Sequence, residues 1–152
     1  MLEHLLQHDG IEVGVSAADR EAAVRAAGEL LKASGAIEPR YIDAMCDALE
    51  TLGPYCVIAP GVALPHAKPD DGVLRTGISL ITLREPVAFG HEANDPVRLV
   101  IALAPVDKEA HLSALQQLAG RLSDREVLDQ IVAATSSEAV YSLLVDVTGG
   151  AS

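Results

Sequence analysis

"VRLVIALAPVDKEAHLSALQQLAGRL", residues 97–122, is the stretch whose reading decides how this chain folds. From Val97 to Val106 only Arg98 interrupts an apolar run. A strand with one wet face alternates apolar and polar residues; a run without alternation reads as a strand covered on both faces, at the centre of a sheet between helices. Asp107 then opens a helix, and Leu112, Leu115, Leu118 and Leu122 space out as its inner stripe.

The flanking sequence fits the same plan. "IEVGVS", residues 11–16, alternates as a half-buried strand. "SAADREAAVRAAGELLKASG" reads as a helix capped by Ser16 or Asp19 and stopped by Gly35. A second helix, "EPRYIDAMCDALETLG", has Pro39 in its first turn and ends at Gly53-Pro54. "YCVIAPGVALPH", residues 55–66, is two brief β-like runs split by Pro60-Gly61. "PDDGVLRTG" is a turn cluster, "ISLITL" a further strand, and "EPVAFGHEANDP" a long loop with a short extended piece around Val87. Two more helices, "SDREVLDQIVAA" and "SSEAVYSLLVDV", open in the manner of capping boxes, and residues 1–10 read as one or two helical turns. Strands mixed with helices along the whole length predict an α/β layered fold, a mixed β-sheet flanked by helices. With 152 residues it is one domain, 1–152, in which 149–152 are a flexible tail.

Composition narrows the function. Hydrophobic residues make up 49 % and aromatics 3 %, so the core is built from aliphatic side chains. Eleven Lys and Arg against 22 Asp and Glu leave a net charge of −11, which repels phosphate backbones and argues against a nucleic-acid partner. No run approaches the roughly 18 apolar residues of a membrane span, and no secretion signal is legible, so a cytoplasmic protein without membrane insertion is expected. Cys46 and Cys56 lie in apolar surroundings and read as reduced, structural thiols. There is no P-loop, dinucleotide fingerprint, G-x-S-x-G elbow, H-E-x-x-H or C-x-x-C, so no cofactor and no metal is expected.

Of the five histidines, His4 and His8 form an i, i+4 pair and His91 lies in a polar loop; for each, a solvent-facing role outweighs a site role. His66 differs because it ends a strand behind Pro65, with small residues Gly61, Ala63 and Ala67 around it, although an edge histidine with a solvent-facing tip accounts for it equally well. His111 lies in the first turn of its helix, where the positive end of the peptide dipole favours a neutral ring; a half-buried structural histidine competes with that reading. Strand ends and helix starts gather at the carboxyl edge of an open α/β sheet. If the 97–106 strand lies beside the His66 strand, the His111 helix starts close to His66. A nucleophilic imidazole beside a second neutral one and helix N–H donors would accept an anion, and phosphoryl transfer asks mainly for such positioning.

At this point the residues resemble a known family. "GVALPHAKP", then "FG…NDPV", an apolar strand and "HLSALQQLAGRLSD" are similar to the enzyme IIA component of the bacterial phosphoenolpyruvate:sugar phosphotransferase system, mannitol/fructose class. "GPYCVIAPGVALPHAKPDDGV" and "FGHEANDPV" lean towards its L-ascorbate branch. The resemblance implies that His66 accepts phosphoryl from the HPr carrier and passes it to a cysteine of enzyme IIB, which serves a membrane-bound IIC transporter. It further implies that His111 hydrogen-bonds the phosphoryl or the imidazole, and that an apolar surface with Val62, Leu64 and Phe89 as contributors docks both partners in turn. Mannitol-type members carry an arginine in the helix before the PH strand; here Glu50 stands about there, with Lys68 or Arg75 to substitute. The alternatives are a regulatory domain phosphorylated on the same histidine that controls another protein, and a non-catalytic binding module.

Overall fold

The computed structural model describes residues 10–53 and 56–150, the side chains of residues 111, 114 and 145–150 excepted. Strands β1 (Ile11–Val15), β2 (Val57–Ala59), β3 (Val62–Ala63), β4 (Gly77–Val87) and β5 (Val97–Ala104) form one sheet in the order β1-β4-β5-β3-β2. The β1/β4 and β3/β5 pairs are parallel, whereas β4/β5 and β2/β3 are antiparallel, so the sheet is mixed as expected. β5 is its middle strand.

The burial of β5 explains its apolar run. Val97, Val100, Ala102 and Ala104 belong to one core cluster, and Leu99, Ile101 and Leu103 to the other. From Leu99 to Ala104, with a period of two, successive residues feed opposite cores, and neither face can be polar. On the first face pack α1 (Arg20–Ala33) and α2 (Pro39–Leu52); on the second, α3 (Lys108–Leu122), α4 (Arg125–Ala133) and α5 (Ser137–Gly150). The result is a helix–sheet–helix sandwich. None of the described helices is long and apolar enough to cross a membrane.

Local chemistry sets the ends of these helices. Asp19 caps α1 by accepting from the Ala22 amide at 2.9 Å, which leaves Ser16 outside the cap. Beyond the last turn Gly35 adopts φ +82°, so that its amide reaches Lys32 O and the Ala36 amide reaches Leu31 O. This closing motif needs a left-handed residue, hence glycine. Within α1, a Cβ on Gly28 would meet Ile42 of α2 at 2.9 Å; the missing side chain is what lets the two helices approach. Asp107 caps α3 by accepting from Ala110 N at 2.8 Å, and Asp124 caps α4.

Three expectations are corrected. β4 does not stop at Leu83; it runs through the exposed Arg84–Pro86 to Val87, which pairs with Val97 across an irregularity in register. Charge and a proline had disguised a projecting strand as loop. Leu112 is 59 % exposed, so the inner stripe of α3 begins at half-buried Leu115 and is completed by Leu118 and Leu122. α5 extends through Gly150 and takes in residues 149–150, which had been read as the start of the tail. The helical turns expected in residues 1–9 lie outside the described residues.

Candidate active site

His66 stands where β3 runs out against β5. Val62 pairs with Leu99 and Ala63 with Val100, and the parallel pairing resumes once more at His66 and Leu103, where Leu103 N donates to Pro65 O at 3.0 Å. Proline suits this position because the missing amide is not asked for while its carbonyl still accepts. The imidazole is half-buried, and its Nδ1 lies 3.0 Å from the Leu64 carbonyl oxygen. A carbonyl can only accept, so Nδ1 carries the proton and the lone pair of the neutral ring sits on Nε2. Local backbone thereby selects the tautomer.

One residue past the Leu103 rung β5 ends, and Pro105, Val106 and Asp107 turn the chain into α3. His66, Pro105, Asp107 and Lys108 line the same cleft, of about 360 Å³. The expected juxtaposition is therefore present: the start of α3 faces the histidine at the carboxyl end of the parallel pair. His111 is the fourth residue of α3, within its first turn. Its side chain is outside the described set.

Two cations border the cleft, Lys68 and Lys108. The neighbouring carboxylates are engaged with backbone: Asp71 accepts from Lys68 N at 3.0 Å and Asp107 from Ala110 N. Two ammonium groups, together with the positive end of α3, make the opening suited to a phosphoryl group. Of the two residues expected to stand in for an arginine, Lys68 lies at the site. Arg75 does not; its Nη2 donates to Ser34 O at 2.6 Å, closing α1. Glu50 is exposed on α2 and outside the cleft lining. Lys108 was missed from the sequence, where the signal was available: it directly follows a helix cap at the end of a central strand.

The far wall of the cleft is apolar, made by Ala44, Ala48 and Leu52 of α2. Leu52 is 66 % exposed, and Val106 and Leu112 leave further apolar surface open beside the start of α3. Val62, Leu64 and Phe89, the residues expected there, are instead fully buried core. Each lies in an apolar run, and a run does not reveal which of its members the helices cover.

Other candidates fall into structural roles. His91 Nδ1 accepts from the Ala93 and Asn94 amides at 3.2 and 3.0 Å, and Asn94 O accepts from Gly61 N, so this histidine shapes the loop at the opposite end of β3. The rest of "FGHEANDP" is scaffold too: Asp95 accepts from Phe89 N and Gly90 N, and Arg20 donates to Phe89 O. Cys46 and Cys56 are buried and outside the cleft lining; burial raises the pKa of Cys46 and pushes that of Cys56 up to about 11, so both stay protonated thiols rather than nucleophiles. No group of three or more metal-ligating residues occurs among the described residues. His4 and His8 lie outside them.

Comparison with known proteins identifies the family. Residues 4–147 match the family model for the EIIA 2 component of the phosphoenolpyruvate-dependent sugar phosphotransferase system. The ascorbate-specific phosphotransferase EIIA component of Escherichia coli K12 is 38 % identical over 143 residues, 93 % of each chain. Among solved structures, the mannitol-specific cryptic enzyme IIA CmtB of Escherichia coli superposes with a TM-score of 0.86 at 34 % identity, covering 95 % of this chain and 98 % of that one. The mannitol enzyme IIA of the same organism, solved in complex with phosphorylated mannitol enzyme IIB, gives 0.83 at 35 % identity, with 93 % and 99 % covered. The chain belongs to the EIIA 2 family of the phosphoenolpyruvate-dependent sugar phosphotransferase system, whose members are phosphotransferases that work through a phosphohistidine.

Proposed function

We propose that His66 is the phosphoryl-carrying residue of this protein, loaded by phospho-HPr and unloaded onto a cysteine of a cognate enzyme IIB that serves a membrane IIC transporter. The observation that carries the proposal is the Nδ1–H donated to Leu64 O on a ring that lines the cleft, which leaves Nε2 as the nucleophile. In loading, the Nε2 lone pair attacks phosphorus in line, the carrier's N–P bond breaks, and its electron pair returns to the carrier imidazole. In unloading, a cysteine thiolate attacks the same phosphorus and the electron pair returns to Nε2. Lys68, Lys108 and the α3 N-terminus offset the negative charge while the group resides here. His111, in the first turn of α3, is the second imidazole of the site and donates to the phosphoryl oxygens.

The apolar wall formed by Ala44, Ala48 and Leu52, with Val106 and Leu112 nearby, serves as the docking surface. One such surface suffices for both partners, because each must bring its reactive atom to the same nitrogen. A net charge of −11 favours encounter with a carrier that is basic around its phosphohistidine. The sugar served is L-ascorbate or a close relative, a reading supported by the 38 % identical ascorbate-specific relative.

Discharge tests this. The protein is charged with labelled phosphoenolpyruvate, enzyme I and HPr, then mixed with purified IIB of an ascorbate system or of a mannitol system. Faster loss of label to the ascorbate-type IIB is expected. Equal or faster discharge by the mannitol-type protein overturns the sugar assignment, and no discharge by any IIB would give the chain a regulatory role instead.

A further inference from the structure

Tyr41 is the third residue of α2, and its side chain is completely buried. Its hydroxyl does something unusual to the sheet. In an unbroken parallel ladder, the rung after Leu103 N to Pro65 O would be Ala67 N donating to Leu103 O. Here the phenol oxygen occupies that rung. Ala67 N donates to Tyr41 Oη at 2.8 Å, and Tyr41 Oη donates to Leu103 O at 2.7 Å. The Ala67 carbonyl lies at 3.2 Å as the longer alternative acceptor for the single phenol proton. Through these contacts the hydroxyl takes a bond from Ala67 N and passes one to Leu103 O. Both backbone groups keep a partner, while the two chains stand apart by the width of an oxygen atom directly after His66.

We infer that Tyr41 is a positioning residue for His66: its hydroxyl, inserted in the ladder one residue beyond the histidine, sets the angle at which the backbone leaves β5 and presents the ring to the cleft. The inference rests on the phosphoryl role proposed for His66. Without the hydroxyl, the Ala67 amide and Leu103 carbonyl can close into a direct bond, which draws the chain towards β5 and swings the ring. Otherwise they stay buried and unpaired, which loosens the same segment. Either way the Nε2 lone pair is displaced from its line of attack, and in-line transfer is sensitive to displacements of about an ångström.

The test compares Tyr41→Phe with a core truncation on the opposite face of the sheet, Ile131→Val or, if needed to match the loss of Tm, Ile131→Ala. Single-turnover transfer from phospho-HPr is followed well below both melting temperatures. Tyr41→Phe is expected to slow transfer at saturating carrier by roughly ten- to a hundredfold, with the apparent affinity for the carrier unchanged because the docking wall is intact. The Tm-matched control should transfer at the wild-type rate. Equal rates in the two variants would reduce Tyr41 to a core anchor and overturn the inference. A second readout is independent of phosphotransfer: the Ala67 amide and His66 ring resonances of Tyr41→Phe should move, while those of the control stay. Unmoved resonances overturn the positioning role even if wild-type His66 proves not to be the acceptor. Failure of the wild type to take label, with the resonances moved, overturns the phosphoryl role alone.

Discussion

His66→Ala takes up no phosphoryl from phospho-HPr, and its label stays at background while the wild type reaches stoichiometric, acid-labile, base-stable labelling. The loss is complete because the proposal gives His111 the part of donor rather than acceptor, and both thiols are buried and held protonated. The variant should still fold. His66 is half-buried, and its hydrogen bond to Leu64 O contributes about 1 kcal/mol, a modest share of a domain's stability. Circular dichroism and Tm near those of the wild type therefore accompany the loss. Wild-type labelling in the variant would remove His66 from the relay.

His111→Ala keeps measurable acceptance but slows transfer by roughly one to three orders of magnitude, as loss of one preorganised donor does. The argument is positional. α3 starts three residues after β5, Leu103 of β5 pairs with His66, and Asp107 and Lys108 line the cleft, so residue 111 lies within one turn of it. A neutral imidazole can donate one hydrogen bond, which is the part proposed for His111. Alanine is the best helix former, so the substitution spares α3. Rapid-quench transfer rates with each partner check the prediction, and unchanged rates would return His111 to a structural role.

The parts of this molecule legible from sequence are those encoded by neighbours in the chain. The central position of β5 was legible because burial on both faces leaves no polar alternation, and the caps at Asp19 and Asp107 because a cap lies within three residues of its amide. The mount of His66 was legible for the same reason, as Pro65 and the strand end are adjacent; the Leu64 O acceptor of its ring was not foreseen. What escaped depends on distance along the chain. Tyr41 reaches partners 26 and 62 positions away, and nothing in "PRYIDAM" distinguishes it from an ordinary core aromatic. Val62, Leu64 and Phe89 were mistaken for surface while Leu52 and Leu112 were the exposed ones, because apolar character does not say which side chains the packed helices will cover. Glu85–Pro86 read as loop because a strand projecting into solvent is polar on both faces.

The central claim is that the Leu64 carbonyl fixes the His66 tautomer and so leaves Nε2 to carry the phosphoryl group. Long-range proton–nitrogen correlation spectra of the ¹⁵N-labelled protein, before and after charging, test it directly. The predicted result, at a pH where the ring is neutral, is a His66 proton on Nδ1 before charging, and a phosphorus coupling at Nε2 with the Nδ1 proton retained afterwards. A phosphoryl group on Nδ1, or on any other histidine, would contradict it.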